Sequence, residues 1–200
     1  MFQKNDIVLY GTHSVCRIED ISELRFNKDP ATYYILKPVY RKESTIFVPV
    51  ANAMLSDKMH AILTLEEVEH LLHILPDEPS SWLENSERRK ERYRHFLTDC
   101  DRLGLLKIIR DLHHQQRKQI SRGRKLYASD EAILREAERL ISDEFAYVLH
   151  ISRSQVEGLI RSHLQKTEIK NTDKKTSVYE EIGMIGLEPT ELHPQAHILL

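Results

Sequence analysis

An α+β fold, a small bent β-barrel followed by an all-α helical bundle, is expected from three features of this 200-residue chain. Its first fifty residues hold short runs of β-branched and aromatic residues separated by turn formers. From about residue 64 the apolar spacing becomes that of amphipathic helices, with capping signals at their starts. Between the helical runs, prolines and polar clusters mark the breaks.

Asp6 to Tyr10 reads as a short strand closed by Gly11-Thr12. Ser14 to Leu24 is a longer one, and the uneven spacing of Val15, Ile18 and Ile21 predicts a bulge or bend. Asn27 to Pro30 makes a turn, because Asn and Asp side chains bond to nearby backbone and Pro presets φ. Thr32 to Tyr40 is the third strand and Arg41-Lys42-Glu43 the next reversal. The fourth strand, Thr45 to Val50, contains Pro49, which cannot donate to a ladder and so belongs at an edge or bulge. Four short strands with tight turns imply a strongly bent sheet or barrel.

Thr64 with Glu67 forms a capping box for a helix whose Val68, Leu71, Leu72 and Leu75 share one face. Pro76-Asp77-Glu78-Pro79 ends it and reads as a hinge between the halves. Ser81 with Glu84 predicts a helix to about Leu97 with Trp82 in its first turn. Thr98 with Asp101 opens another, striped by Leu105, Ile108, Ile109 and Leu112. After a break near Ser121 to Gly123, the clearest helix spans Asp130 to Leu149. Ser152 with Gln155 caps a last helix to about Gln165. The division expected is therefore residues 1–62 for the β module, 63–79 for a connecting helix and hinge, 80–167 for a helical domain, and 168–200 for a mobile or loosely docked tail.

With 40% hydrophobic and 30% charged residues the chain suits an ordinary soluble protein. No apolar run reaches the roughly 18 residues of a spanning helix, and MFQKNDIVLY lacks a secretory pattern, so the cytoplasm is the expected location. Cys16 and Cys100 form neither a disulfide framework nor a C-x-x-C site. Nothing requires self-association, and a monomer is expected. The net charge of −2 conceals a partition: Glu87 to Lys125 carries 13 Lys/Arg against 5 Asp/Glu. The remainder is acidic, so one polyanion-binding face is expected.

No phosphate-binding glycine loop or nucleophile motif occurs, and no enzyme activity, cofactor or metal is expected. His70 with His73, and His113 with His114, lack a third ligand at a usable spacing. A Cys100 nucleophile has no orienting histidine implied by its neighbours. The informative stretch is Ser80 to Phe96, SSWLENSERRKERYRHF, with the chain's one tryptophan and its densest positive charge. Cations neutralise phosphates without reading sequence, and an indole beside them can stack on a base or wedge between base pairs. The same residues also fit a core anchor with a solvated helix face.

Two other readings stay open on these residues. His150 to Ile160 looks like the recognition helix of a helix-turn-helix, with Arg153 and Gln155 for base edges, which makes residues 150–165 a sequence-specific repressor module. A protein–protein adaptor whose basic face meets an acidic partner needs no DNA at all.

The runs DIVLYGTHSVCRIEDI, ILKPVYRKESTIFVPVANA, EPSSW, LLKIIRDL and AERLISDEFA, in this order and spacing, resemble the CarD/CdnL family of bacterial transcription regulators. The resemblance implies an N-terminal Tudor-like module docking on the β subunit of RNA polymerase. It also implies a helical domain lying on promoter DNA at the upstream edge of the melted bubble. On this reading Trp82 is the wedge at the fork, and Arg88 and Arg89 match a basic pair, with LENS intervening. Lys90, Arg92, Arg94, Arg122, Arg124 and Lys125 complete the expected DNA-binding set. Arg25 and the strand Ile46-Phe47-Val48 match the polymerase-facing surface, with Phe47 where some relatives carry an arginine.

Overall fold

In the computed structural model, residues 1–26, 29–41 and 44–166 are described. Five antiparallel strands, β1 (Ile7–Tyr10), β2 (Val15–Leu24), β3 (Ala31–Pro38), β4 (Ile46–Pro49) and β5 (Met59–Ala61), form one sheet. Its order is β4-β3-β2-β1-β5. The expected barrel is thus corrected to an open sheet, with β4 and β5 at opposite edges. β5, only three residues long, was not among the four strands expected. The expected bulge is present: the β2–β3 register shifts between Ile18 and Asp20. Pro49 ends the edge strand β4, where a missing N–H costs no ladder bond. The expected turns involve Asn27, Lys28, Lys42 and Glu43, which lie outside the described residues, as do the expected linker and the tail 168–200.

The sheet stays open because both of its faces find apolar partners. Alternation along β1 sends Val8 and Tyr10 to one side and Leu9 to the other. The first side packs with Ile18, Leu36, Val48 and Met59, so both sheet edges reach one small core and the sheet is strongly curled. On the second side Leu9 and Val15 pack against Cys100 and Tyr147 from the helical half. A face covered by helices needs no further strand to shield it.

Among the described residues, six helices follow the fourth strand: α1 (Ala53–Ser56), α2 (Leu65–Ile74), α3 (Ser86–Thr98), α4 (Arg102–Ile120), α5 (Ala128–Leu149) and α6 (Arg153–Lys166). The Thr64/Glu67 capping box starts α2 as expected. Val68, Leu72 and Leu75 pack in the main helical core, so α2 is part of the bundle. The cap expected at Ser81 is corrected: α3 starts at Ser86, and Asn85 Oδ1 accepts from the backbone N–H groups of Glu87 and Arg88 at 3.1 and 3.0 Å. Trp82 therefore precedes the helix. The cap of α4 is Asp101 itself, which accepts from Gly104 N–H at 3.0 Å. Gly104 lets α3 come close, since a Cβ there would sit 2.5 Å from the Phe96 ring. Ser152 and Gln155 cap α6 reciprocally, at 2.7 and 3.3 Å.

Buried ionic contacts fasten the sheet to the helices. Glu144 of α5 takes two hydrogen bonds from the Arg102 guanidinium, at 3.0 and 3.1 Å, and one from the Leu63 backbone at 3.1 Å. Arg102 also reaches the Ala61 carbonyl at 2.7 Å, and Arg139 that of Thr12 at 2.7 Å. Asp143 pairs with Arg139 and, at 2.6 Å, with Arg153. A buried carboxylate held by this many donors is costly to break, so the halves form one unit.

Candidate nucleic-acid interface

The stretch leading to Trp82 is strapped to α4. Asp111 Oδ2 accepts from Ser81 N–H at 2.6 Å, from the Ser81 hydroxyl at 2.8 Å and from the Ser80 hydroxyl at 3.0 Å. Its neighbour Arg110 donates to the carbonyls of Leu75 and Glu78, at 2.7 and 2.8 Å. The Pro76 to Pro79 segment, expected as a hinge, is thereby pinned. Trp82 is left half-buried against the core, its Nε1–H donating to Glu84 at 3.2 Å.

Arg88 and Arg89, expected to act as a pair, face opposite ways. Arg88 is exposed, as are Arg92 and Arg94, on the outer face of α3. Arg89 is only 2% exposed and is withdrawn from any phosphate-binding face. The reason is helical geometry: it lies on the stripe that carries Tyr93 and Phe96 inward. Its guanidinium donates to the Leu83 carbonyl at 2.6 Å and to Asp130 of α5 at 2.9 Å. The same group lies 3.9 Å from the centroid of the Trp82 ring, within cation–π range. Arg89 thus holds the indole in place.

Beside Trp82 a cleft of about 540 Å³ opens between the start of α3, the end of α4 and the start of α5. Of the expected residues it brings together Trp82, Arg89, Lys90 and Arg122. Lys90 is engaged with Glu87 at 3.1 Å. Arg124 and Lys125 are exposed in the α4–α5 connection but do not line the cleft. Two lining residues, Lys118 and Tyr127, were missed by sequence reasoning. Tyr127 is 73% exposed, an unusual setting for a large ring. The run Arg122-Gly123-Arg124-Lys125-Leu126-Tyr127, cations ending in an aromatic, held the signal.

The supposed recognition helix is committed elsewhere. Arg153 pairs with Asp143 and lies 4.3 Å from the Tyr40 ring centroid, while Gln155 is buried in the α6 cap. Gln155 is thereby withheld from base edges, while the Arg153 side chain, 44% exposed, has its contacts with Asp143 and Tyr40.

On the sheet, Arg25 and Phe47 are exposed and Ile46 is half-buried. Val48 is fully buried, which corrects it from the surface to the core. Phe47 belongs to a larger aromatic patch. Its ring centroid is 5.0 Å from that of Phe26, which is 57% exposed and 5.1 Å from Tyr33.

Among the described residues no helix is long and apolar enough to cross a membrane. No curated protein matches the chain. The family model of the CarD-like/TRCF RID domain matches residues 2–62, the span of the curled sheet and its exposed aromatic edge. That match supports interaction with RNA polymerase and a role connected with transcription. Over residues 2–62, this chain is similar to the CarD-like/TRCF RID domain family.

Proposed function

We propose that the protein is a transcription regulator that docks on the β subunit of RNA polymerase and stabilises the open promoter complex. The observation that carries the reading is the RID-domain match over the half that presents an edge strand and an aromatic patch. An edge strand offers unpaired main-chain groups to a partner strand, and clustered aromatics are the residues that anchor protein interfaces. Docking on polymerase brings the helical half to promoter DNA without sequence recognition of its own.

There the exposed cations Arg88, Arg92, Arg94, Arg122, Arg124 and Lys125 neutralise phosphates irrespective of sequence. Trp82, backed by the Arg89 guanidinium, supplies a ring already held in one orientation. A pre-set wedge loses less conformational freedom on binding than a free side chain. If it fits only unstacked bases, it favours melted over closed DNA, and about 1.4 kcal/mol of preference shifts that equilibrium tenfold.

The test measures open-complex lifetime with polymerase and full-length protein. Wild type is expected to lengthen it and Trp82→Ala to lengthen it less. Equal lengthening by both removes the wedge; failure of full-length protein to bind polymerase removes the reading altogether.

A further inference from the structure

We propose that the cleft between α3, α4 and α5 is a binding site for a single unstacked nucleobase with its phosphate, and that Tyr127 is the ring it stacks on. Only in taking DNA as the source of that base does the inference rest on the function proposed above. Trp82 lines the wall and is half-buried, with Arg89 against its ring. Tyr127, at the N-terminal boundary of α5, offers the larger free surface at 73% exposure. A base needs such a flat apolar face, and stacking on one is indifferent to base identity.

Charge and polarity in the cleft match the rest of a nucleotide. Lys118 and Arg122, on the last turn of α4 and just beyond it, are exposed cations on the same cleft as Lys90. Deeper in, Arg89 and Asp130 make one ion-pair contact, Nη2 to Oδ2 at 2.9 Å, and leave the second rung open. Arg89 Nε and Asp130 Oδ1 are both buried and have no hydrogen-bond partner. Buried polar atoms without a partner are uncommon in a folded protein, and both belong to residues that line the cleft.

Two sources share this chemistry, a single strand of DNA and a free mononucleotide. Trp82 is the chain's one tryptophan and lines the cleft, so its fluorescence reports occupancy. Full-length protein is titrated with a 12-nucleotide single strand, with the same sequence as duplex, and with AMP. The single strand is expected to change Trp82 fluorescence saturably. Tyr127→Ala weakens that binding by about tenfold, the scale of one stacked base, with duplex affinity changed less than twofold. Tyr127→Phe, which keeps the ring, binds like wild type. Competition by AMP assigns the cleft to free nucleotides as well, and its absence assigns it to DNA; the proposal stands in both. Unchanged single-strand affinity in Tyr127→Ala overturns it, as does equal weakening for strand and duplex. Because polymerase is absent from these titrations, failure of the docking model leaves their outcome untouched.

Discussion

The sheet edge and the helical cleft both expose aromatic rings, yet their surroundings differ in kind. Around Phe26, Phe47 and Tyr33 the rings contact one another, edge to face. Around Trp82 and Tyr127 the neighbours are charged and polar: Lys90, Lys118, Arg122 and Gln119, with the carboxylates of Glu84 and Asp130 among them. Rings that touch rings suit another protein's apolar surface. Rings interleaved with lysine and arginine suit a polyanion whose bases can stack. The environment of an exposed aromatic therefore says more about its partner than the exposure itself.

The sharpest way to break this contrast is through the support of the cleft. Arg89→Ala strands the Asp130 carboxylate in a site where its side chain is 1% exposed. A loss of about 3–5 kcal/mol in unfolding free energy is expected, read from urea denaturation. Its neighbour Arg88→Ala, on the outer face, should stay within about 0.5 kcal/mol of wild type. Similar losses at the two positions remove the distinction between them.

Next in size is the sheet edge. Phe26→Ala with Phe47→Ala removes two clustered rings, and interface anchors of this type carry about 2 kcal/mol or more. Polymerase capture by full-length protein should weaken by at least tenfold, with binding to single-stranded oligonucleotide unchanged. Loss of both activities together merges the two surfaces into one.

A subtler change is expected on the α3 face. Arg88→Ala with Arg92→Ala should lower duplex affinity similarly across unrelated sequences and flatten the log–log salt dependence by about 2. A sequence-dependent loss instead points to base readout on that face.

The smallest effect concerns pH at the junction of the halves. Partial burial, followed by the Arg102 charge, holds His60 below its ordinary value of 6.5, against the opposing pull of Glu144 and Asp99. The unfolded chain then binds a proton that the folded chain resists. Stability from this group is present above pH 6.5 and is lost as pH falls below it toward the folded value. Burial pushes the Asp143 carboxyl up despite Arg153 and Arg139, and it acts in the opposite sense. His60→Gln isolates the histidine part: the drop in Tm from pH 7.5 to 5.5 should shrink. An unchanged drop assigns the pH response elsewhere.

Four of the five strands, the β2 bulge and the edge position of Pro49 were legible because local alternation and proline chemistry decide them. Closure was not, since whether β4 meets β5 depends on what covers the far face, and that is a helical half distant in sequence. Charge density flagged Lys90 and Arg122, which line the cleft, and equally Arg89, whose guanidinium is buried in its wall. One position along a helix is about 100° of rotation, enough to move a guanidinium from solvent to the core. Asp130, its partner, lies 41 residues away and carried no local mark. The Trp82 helix failed for a related reason: Ser81 is occupied by Asp111 of α4, and Asn85 took its place as cap.

The bonds of Glu144 to Arg102 and Leu63, and of Arg139 to Thr12, have a geometric consequence. With the two lobes bolted together, the separation between the aromatic edge and the cleft is a built-in length, like the arms of a carpenter's square. Wherever a partner grips one arm, the other can touch only a particular stretch of whatever lies alongside. Selectivity for position along DNA can then arise from the shape of the protein, with no side chain reading a single base.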